Sequence, residues 1–174
     1  MKKVEDYIRS IPDFPEPGIM FRDVTSILQD AEGFHLAIDE MKKLLEGVDC
    51  DVIAGAESRG FIFGAPLAYA LGKPFVLVRK KGKLPGDVYR ASYSLEYGEA
   101  TIEAHKSDIQ VGKHYLVIDD LIATGGTLTA SKNLIEQGKG TVAEFFGVIG
   151  IPELNYKEKL SPVPVTTLID LSEK

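Results

Sequence analysis

Cysteine is almost missing from this 174-residue chain, where Cys50 stands alone. No internal disulfide can form and no CxxC pair or Cys/His cluster is at hand for zinc, so a reducing compartment is the simpler reading. Positive charge is also scarce. Lysine and arginine number 20 against 26 acids, a formal charge of -6, which disfavours sequence-independent binding to nucleic acid or to an anionic membrane. The longest apolar run, residues 60–72, is too short to cross a bilayer and is broken by Pro66. Glu5 and Asp6 come one residue after Lys2 and Lys3, with no apolar stretch behind them, so no signal peptide is expected and the protein reads as soluble and cytoplasmic. What is present, 44% hydrophobic and 26% charged residues without repeats or linkers, predicts one self-folding domain over 1–174.

The apolar spacing predicts a helix over 4–11, ended by Pro12, then an ordered proline-rich loop over 12–18. Phe34, Ile38, Met41 and Leu45 mark one face of an amphipathic helix over 32–46. Short apolar runs predict strands over 51–56, 75–78, 114–118, 141–149 and 165–169, with helices over 60–71 and from about 126 to 137. Residues 91–96 and 100–105 read as a hairpin around Tyr97-Gly98-Glu99. Buried strands alternating with helices predict an α/β fold with a largely parallel twisted sheet.

The most informative stretch is Val117-Ile-Asp-Asp-Leu-Ile-Ala-Thr-Gly-Gly-Thr127: an apolar strand, two acids, a small-residue turn and a helix start. Ligands of open α/β sheets sit beyond the carboxyl ends of strands, where this loop falls. Thr124, Gly125, Gly126 and Thr127 can aim backbone N–H groups and two hydroxyls at an anion on the positive end of the next helix, which makes a phosphate cradle. Asp119 and Asp120 would repel phosphate but suit sugar hydroxyls or a magnesium-bound ligand. A plain helix N-cap uses similar residues; the acidic pair beside the double glycine sets this segment apart.

Arg59, between a strand and a helix, projects at the same sheet edge, either as a cation for pyrophosphate oxygens or as a surface arginine. Residues 79–90 gather Arg79, Lys80, Lys81, Lys83 and Arg90 against Asp87. They form a mobile flap over an anion or a solvated loop, and Gly82, Pro85 and Gly86 between strands favour the flap. Phe21 either offers a flat face to a planar base or plugs the core. Glu96 by residue type is ordinary surface, and His35, His105 and His114 show no partner spacing. Gly55 and Gly60 have P-loop spacing, but Phe61 and Ile62 replace the required Lys and Ser/Thr. Gly138, Gly140 and Ala143 fit a dinucleotide pattern in the wrong place, after a helix and before a strand.

The acids and the Thr-Gly-Gly-Thr loop resemble the diphosphoribose-binding motif of the type I phosphoribosyltransferase family. Phe14-Pro-Glu-Pro-Gly-Ile-Met-Phe-Arg-Asp23, Ser58-Arg-Gly-Phe-Ile-Phe-Gly64, Arg79-Lys-Lys-Gly-Lys-Leu-Pro-Gly86 and Ser92-Tyr-Ser-Leu-Glu-Tyr-Gly98 narrow the resemblance to its adenine-using members. It implies that fold with a small N-terminal hood over about 1–30, a flexible flap over about 79–98, and transfer of phosphoribosyl from 5-phosphoribosyl diphosphate to adenine, giving AMP. A 6-oxopurine such as xanthine, or binding without catalysis, are the alternatives. By resemblance Asp119, Asp120, Ala123, Thr124, Gly125, Gly126 and Thr127 hold phosphoribosyl, and Ser58, Arg59, Arg79, Lys80 and Lys83 hold diphosphate. Met20, Phe21, Arg22 and Ile151 hold adenine, with Phe21 stacked and the Met20 and Arg22 backbone reading the base edge. Glu96 is the implied acid/base group, Mg2+ arrives on the diphosphate, a cis peptide joins Glu57 and Ser58, and the chain pairs as a homodimer.

Overall fold

A 3-10 turn at Val4–Tyr7 and strand β1 (Arg9–Pro12) occupy the segment predicted as one helix. Strand pairing overrides the helical spacing here: β1 lies antiparallel to β2 (Met20–Asp23), with Ile11 opposite Phe21. The Arg9 guanidinium binds the Asp23 carboxylate, and Arg9 N donates to Ser26 Oγ at 2.8 Å. The computed structural model describes residues 2–95 and 97–172.

Helix α1 (Ala31–Leu44) starts where Asp30 Oδ1 accepts from the Glu32 and Gly33 amides at 2.9 and 3.0 Å, a side-chain N-cap. Its buried line is Gly33, Ala37 and Met41 rather than the predicted Phe34 and Ile38, which are half-buried. The reason is close approach: a Cβ on Gly33 would lie 2.6 Å from the Tyr7 ring, so the small residues face inward.

Then come β3 (Val52–Ala56), α2 (Arg59–Leu71) and β4 (Phe75–Lys80). The hairpin strands are β5 (Val88–Ser94) and β6 (Glu99–His105), followed by β7 (His114–Ile122), α3 (Gly126–Gln137) and β8 (Thr141–Gly150). The short helix α4 (Tyr156–Leu160) and β9 (Val165–Asp170) close the chain. The large sheet runs β5-β6-β4-β3-β7-β8-β9. Its β4-β3-β7-β8-β9 part is parallel, as expected, and the hairpin adds two antiparallel strands at one edge.

Helices cover both faces. Alternation along β7 sends Leu116 and Ile118 to a core shared with Met41, Phe63 and Leu67, and Tyr115 and Val117 to a core shared with Leu128, Leu134 and Leu160. Burial of each large side chain contributes about 1.5–3 kcal/mol. This double layer holds the carboxyl ends of β3 and β7 side by side, and the loops that follow them carry the candidate site.

Three predicted boundaries move. β7 runs past Ile118 through both acids, because β8 continues to pair with it: Asp119 lies opposite Gly147 and Ile122 opposite Gly150. Of the basic stretch, Arg79 and Lys80 finish β4 and residues 88–90 begin β5, so only 81–87 lie outside strands. In the hairpin the strands begin earlier than predicted and Glu99 belongs to β6, with Leu95 N donating to Gly98 O across the tip.

Candidate phosphoribosyl site at the carboxyl edge of the sheet

The turn between β7 and α3 is shaped by glycine. Gly125 has φ +87°, in the left-handed region, and caps α3 with no side-chain acceptor. The first turn of a helix has N–H groups without intrahelical acceptors, and they carry the positive end of its dipole. Ala123, Thr124, Gly125, Gly126 and Thr127 line a cavity of about 430 Å³ together with Asp119 and Tyr93. The expected cradle residues are therefore brought to one wall. A Cβ on Gly126 would lie 3.2 Å from the Tyr93 ring, so glycine lets β5 approach the helix start.

A second cavity of about 240 Å³ adjoins the first and shares Tyr93, Asp119, Leu121 and Thr127 with it. Glu57, Arg59, Lys80 and Asp120 supply the rest of its charged lining, beside Ala56, Val78 and Ile102. Arg59 is not a free cation: its Nε lies 2.7 Å from Asp120 Oδ2 as an ion pair. That oxygen is buried and accepts no aligned hydrogen bond, so one strong acceptor is held ready at the cavity wall. Asp119 Oδ1 accepts from the Asp120 amide at 2.8 Å. Burial first, and then the neighbouring Asp120 carboxylate, push the Asp119 carboxyl well above the ordinary range. Gly60 allows this crowding, since a Cβ there would meet Ile118 O at 3.0 Å.

The Glu57-Ser58 peptide is cis, as the resemblance implied. Glu57 Oε2 accepts from the Lys80 amide at 2.6 Å, and Arg79 Nη2 donates to Glu57 Oε1 at 3.4 Å. Burial pulls the Glu57 carboxyl up, but these two donors outweigh it and hold it below its usual value. Arg79 is thus turned toward Glu57, while Ser58 and Lys83 are exposed and line neither cavity.

The expected base-binding residues stand apart. Met20, Phe21 and Arg22 lie on β2, where Phe21 packs edge-on against Phe14 at 5.1 Å between ring centres. Arg22 reaches the Ser172 carbonyl and Ser10 Oγ. Ile151 is buried beyond β8, its amide donating to Ile122 O at 3.0 Å. None of the four lines the two cavities. Glu96 lies outside the described residues.

Sequence reasoning passed over Tyr93, which lines both cavities, and Glu57, which ties the β3 loop to β4. The alternation Ser92-Tyr93-Ser94 along β5 signals a ring facing α3; no local signal marks Glu57 as an acceptor for a strand amide.

Known proteins share this sequence and fold. An adenine phosphoribosyltransferase of Butyrivibrio fibrisolvens is 71% identical over 92% of this chain and 89% of its own length. One of Agathobacter rectalis is 56% identical over the full length of both. Among solved structures, the adenine phosphoribosyltransferase of Thermoanaerobacter pseudethanolicus superposes with a TM-score of 0.92 at 44% identity, covering 97% of this chain and 98% of that one. That of Saccharomyces cerevisiae, complexed with an imino-altritol bisphosphate and adenine, gives 0.90 at 41% identity, covering 95% and 96%. Residues 24–167 match the phosphoribosyl transferase domain, and with most of its length so matched the chain belongs to the phosphoribosyltransferase family.

Proposed function

We propose that the chain converts adenine and 5-phosphoribosyl 1-diphosphate to AMP and diphosphate, a purine salvage reaction. The observation that carries this reading is the pair of adjoining cavities, one lined by the Thr-Gly-Gly-Thr turn and the other by Arg59 and Lys80, with Asp119 on the wall of both. The relatives' names supply the base.

In this reading the 5-phosphate sits on Thr124, Gly125, Gly126 and Thr127 beside Ala123, where backbone dipoles offset its charge. Asp119 and Asp120 accept hydrogen bonds from the ribose hydroxyls. Arg59 and Lys80 face the diphosphate from the second cavity, and Ser58, Arg79 and Lys83 turn in from outside it as the ligand binds; the diphosphate displaces Asp120 from Arg59 and so frees a carboxylate for the sugar. Purine N9 attacks the anomeric carbon as its bond to the diphosphate oxygen breaks, and positive charge builds on the ribose. The nearby carboxylates stabilise that charge, and fixed cations hold the leaving group. Phe21 stacks on adenine against Ile151 on the other face, the backbone of Met20 and Arg22 distinguishes a 6-amino from a 6-oxo group, and Glu96 takes the purine proton.

Among the described residues no group of three His, Cys, Asp or Glu side chains is placed to hold a metal alone. Asp120 Oδ2, buried and partnered among the described residues by Arg59 alone, fits a magnesium ion that arrives on the substrate and takes the place of that cation. Magnesium would supply charge neutralisation on the departing diphosphate.

A homodimer in the cytoplasm completes the proposal. Its support is an apolar outer stripe on α2, where Ile62 and Tyr69 are 40% and 90% exposed, with Leu77 of β4 also exposed. Cys50 is buried and unpaired, and among the described residues no helix is long and apolar enough to cross a membrane.

The test is incubation with magnesium, 5-phosphoribosyl diphosphate and each purine base. AMP from adenine alone is the expected product; xanthine or hypoxanthine reacting while adenine does not would overturn the base assignment. Glu96→Gln is expected to keep substrate binding and lower turnover about 10²-fold, the scale of general acid–base catalysis.

A further inference from the structure

The short helix α4 has no part in the chemistry proposed above, yet it lies directly under the turn that would hold phosphate. A Cβ built on Gly125 would sit 3.0 Å from Leu160 Cγ and 3.1 Å from both of its methyl carbons. Leu160 is 5% exposed and shares a core with Leu128 of α3 and Tyr156. Five residues are too few for a helix to hold itself in place. Tyr156 supplies the anchor: its ring is fully buried, and its hydroxyl donates to Asp170 Oδ1 at 2.8 Å, at the end of β9. The same oxygen accepts from Thr167 Oγ1 at 2.7 Å, and Lys157 Nζ stands 3.6 Å from Asp170 Oδ2. A Cβ on Gly150 would overlap the Tyr156 hydroxyl, so β8 also leaves room for this contact. Burial raises the Tyr156 hydroxyl to about 12, and the Thr167 and Tyr156 donors, with Lys157, bring Asp170 below its usual value despite burial.

We infer that Leu160, held in place by the Tyr156–Asp170 hydrogen bond, is a positioning residue for the phosphate cradle, fixing the left-handed turn at Gly125 before ligand arrives. The inference rests on the reading of the Thr-Gly-Gly-Thr turn as the 5-phosphate site. Its physical basis is pre-organisation: a turn already set against a packed leucine need not be ordered on binding. The predicted consequence is specific to the phosphate end of the substrate, because α4 touches the cradle and none of its residues lines either cavity.

The experiment measures KM for 5-phosphoribosyl diphosphate and for adenine, kcat, the dissociation constant of ribose 5-phosphate by calorimetry, and Tm. Leu160→Ala is expected to raise KM for the diphosphate and the ribose 5-phosphate constant about tenfold, within the 10²-fold that a 1 Å misplacement can cost. The adenine KM and kcat should stay within about twofold, as expected when only phosphate-end binding is lost. Tyr156→Phe, which keeps the buried ring, should give about a threefold rise, the scale of one lost hydrogen bond. Leu160→Met should restore near-parental affinity. A lower Tm with an unchanged ribose 5-phosphate constant in Leu160→Ala, or an equal rise for adenine and ribose 5-phosphate, overturns the inference. Thr124→Ala separates the two readings. If it weakens ribose 5-phosphate while Leu160→Ala does not, the positioning role alone fails; if neither variant does, the cradle itself is wrongly assigned.

Discussion

The cradle and the hood are built on different principles. The cradle is a turn between β7, a strand inside a seven-stranded sheet, and the helix α3 that follows it, and its geometry follows mainly from backbone: a left-handed glycine and a helix start, with the Leu160 side chain beneath. The hood is a two-stranded sheet outside that core, held by side chains: Arg9 on Asp23, Arg22 on the Ser172 carbonyl and Phe14 against Phe21. A lone hairpin is marginal in water, so these side-chain ties decide whether it persists. On the proposed assignment, this construction holds the phosphate end fixed and leaves the base end freer to move. The family match follows the same division, since residues 24–167 begin just after β2.

The strongest way to break this contrast is Gly125→Ala. The new methyl meets Leu160 and the residue must hold φ +87°, so kcat/KM for 5-phosphoribosyl diphosphate is expected to fall by about 10²-fold or more in steady-state assays, the cost of misplacing a bound group by ~1 Å. A smaller fall would mean that the turn tolerates rearrangement. Next is Arg59→Gln, which should weaken inhibition by diphosphate about 10- to 100-fold, or roughly 1.4–2.8 kcal/mol, because a charge-assisted contact is lost. Arg9→Ala should speed amide exchange across 9–12 and 20–23 while leaving 124–128 protected as before, since it leaves the buried Asp23 without its guanidinium partner. Equal acceleration in both regions would show that hood and cradle open together.

The gentlest test uses pH. The Thr25 hydroxyl first, and then Arg9, hold the Asp23 carboxyl below the ordinary aspartate value of 3.8, so its contribution to hood stability is present above that value and lost as pH falls through the lower folded one. Asp119 is raised by burial and by Asp120, so its ionisation costs stability above its folded value, and acidification relieves that cost. Carboxyl NMR titration should therefore show Asp119 taking up its proton well before Asp23 as acid is added. The reverse order would contradict both electrostatic assignments.

The cradle was legible in the sequence because its physics is local. An apolar strand, two acids and a Thr-Gly-Gly-Thr turn can be read without knowing what lies nearby, and the strand and helix they join were expected. The acids were misplaced by one feature that no local pattern shows, namely that β8 keeps pairing with β7 beyond Ile118. The Arg59–Asp120 ion pair, the Glu57 contact to the Lys80 amide and the Leu160 support join residues 61, 23 and 35 positions apart, distances at which spacing carries no signal. At the hood, residues 4–11 have helical spacing, and only the tertiary partners Asp23 and Ser26 turn Arg9 into the start of a strand.

The division of labour is tested most directly by measuring the affinities of AMP and ribose 5-phosphate for Phe21→Ala beside the parent chain. AMP carries the base and the 5-phosphate; ribose 5-phosphate carries only the second. Loss of an aromatic stack worth about 0.5–1.5 kcal/mol predicts AMP binding weaker by about two- to twelvefold with ribose 5-phosphate unchanged. Equal weakening of both ligands, or of neither, would contradict the account of a base-reading hood separate from a phosphate-reading cradle.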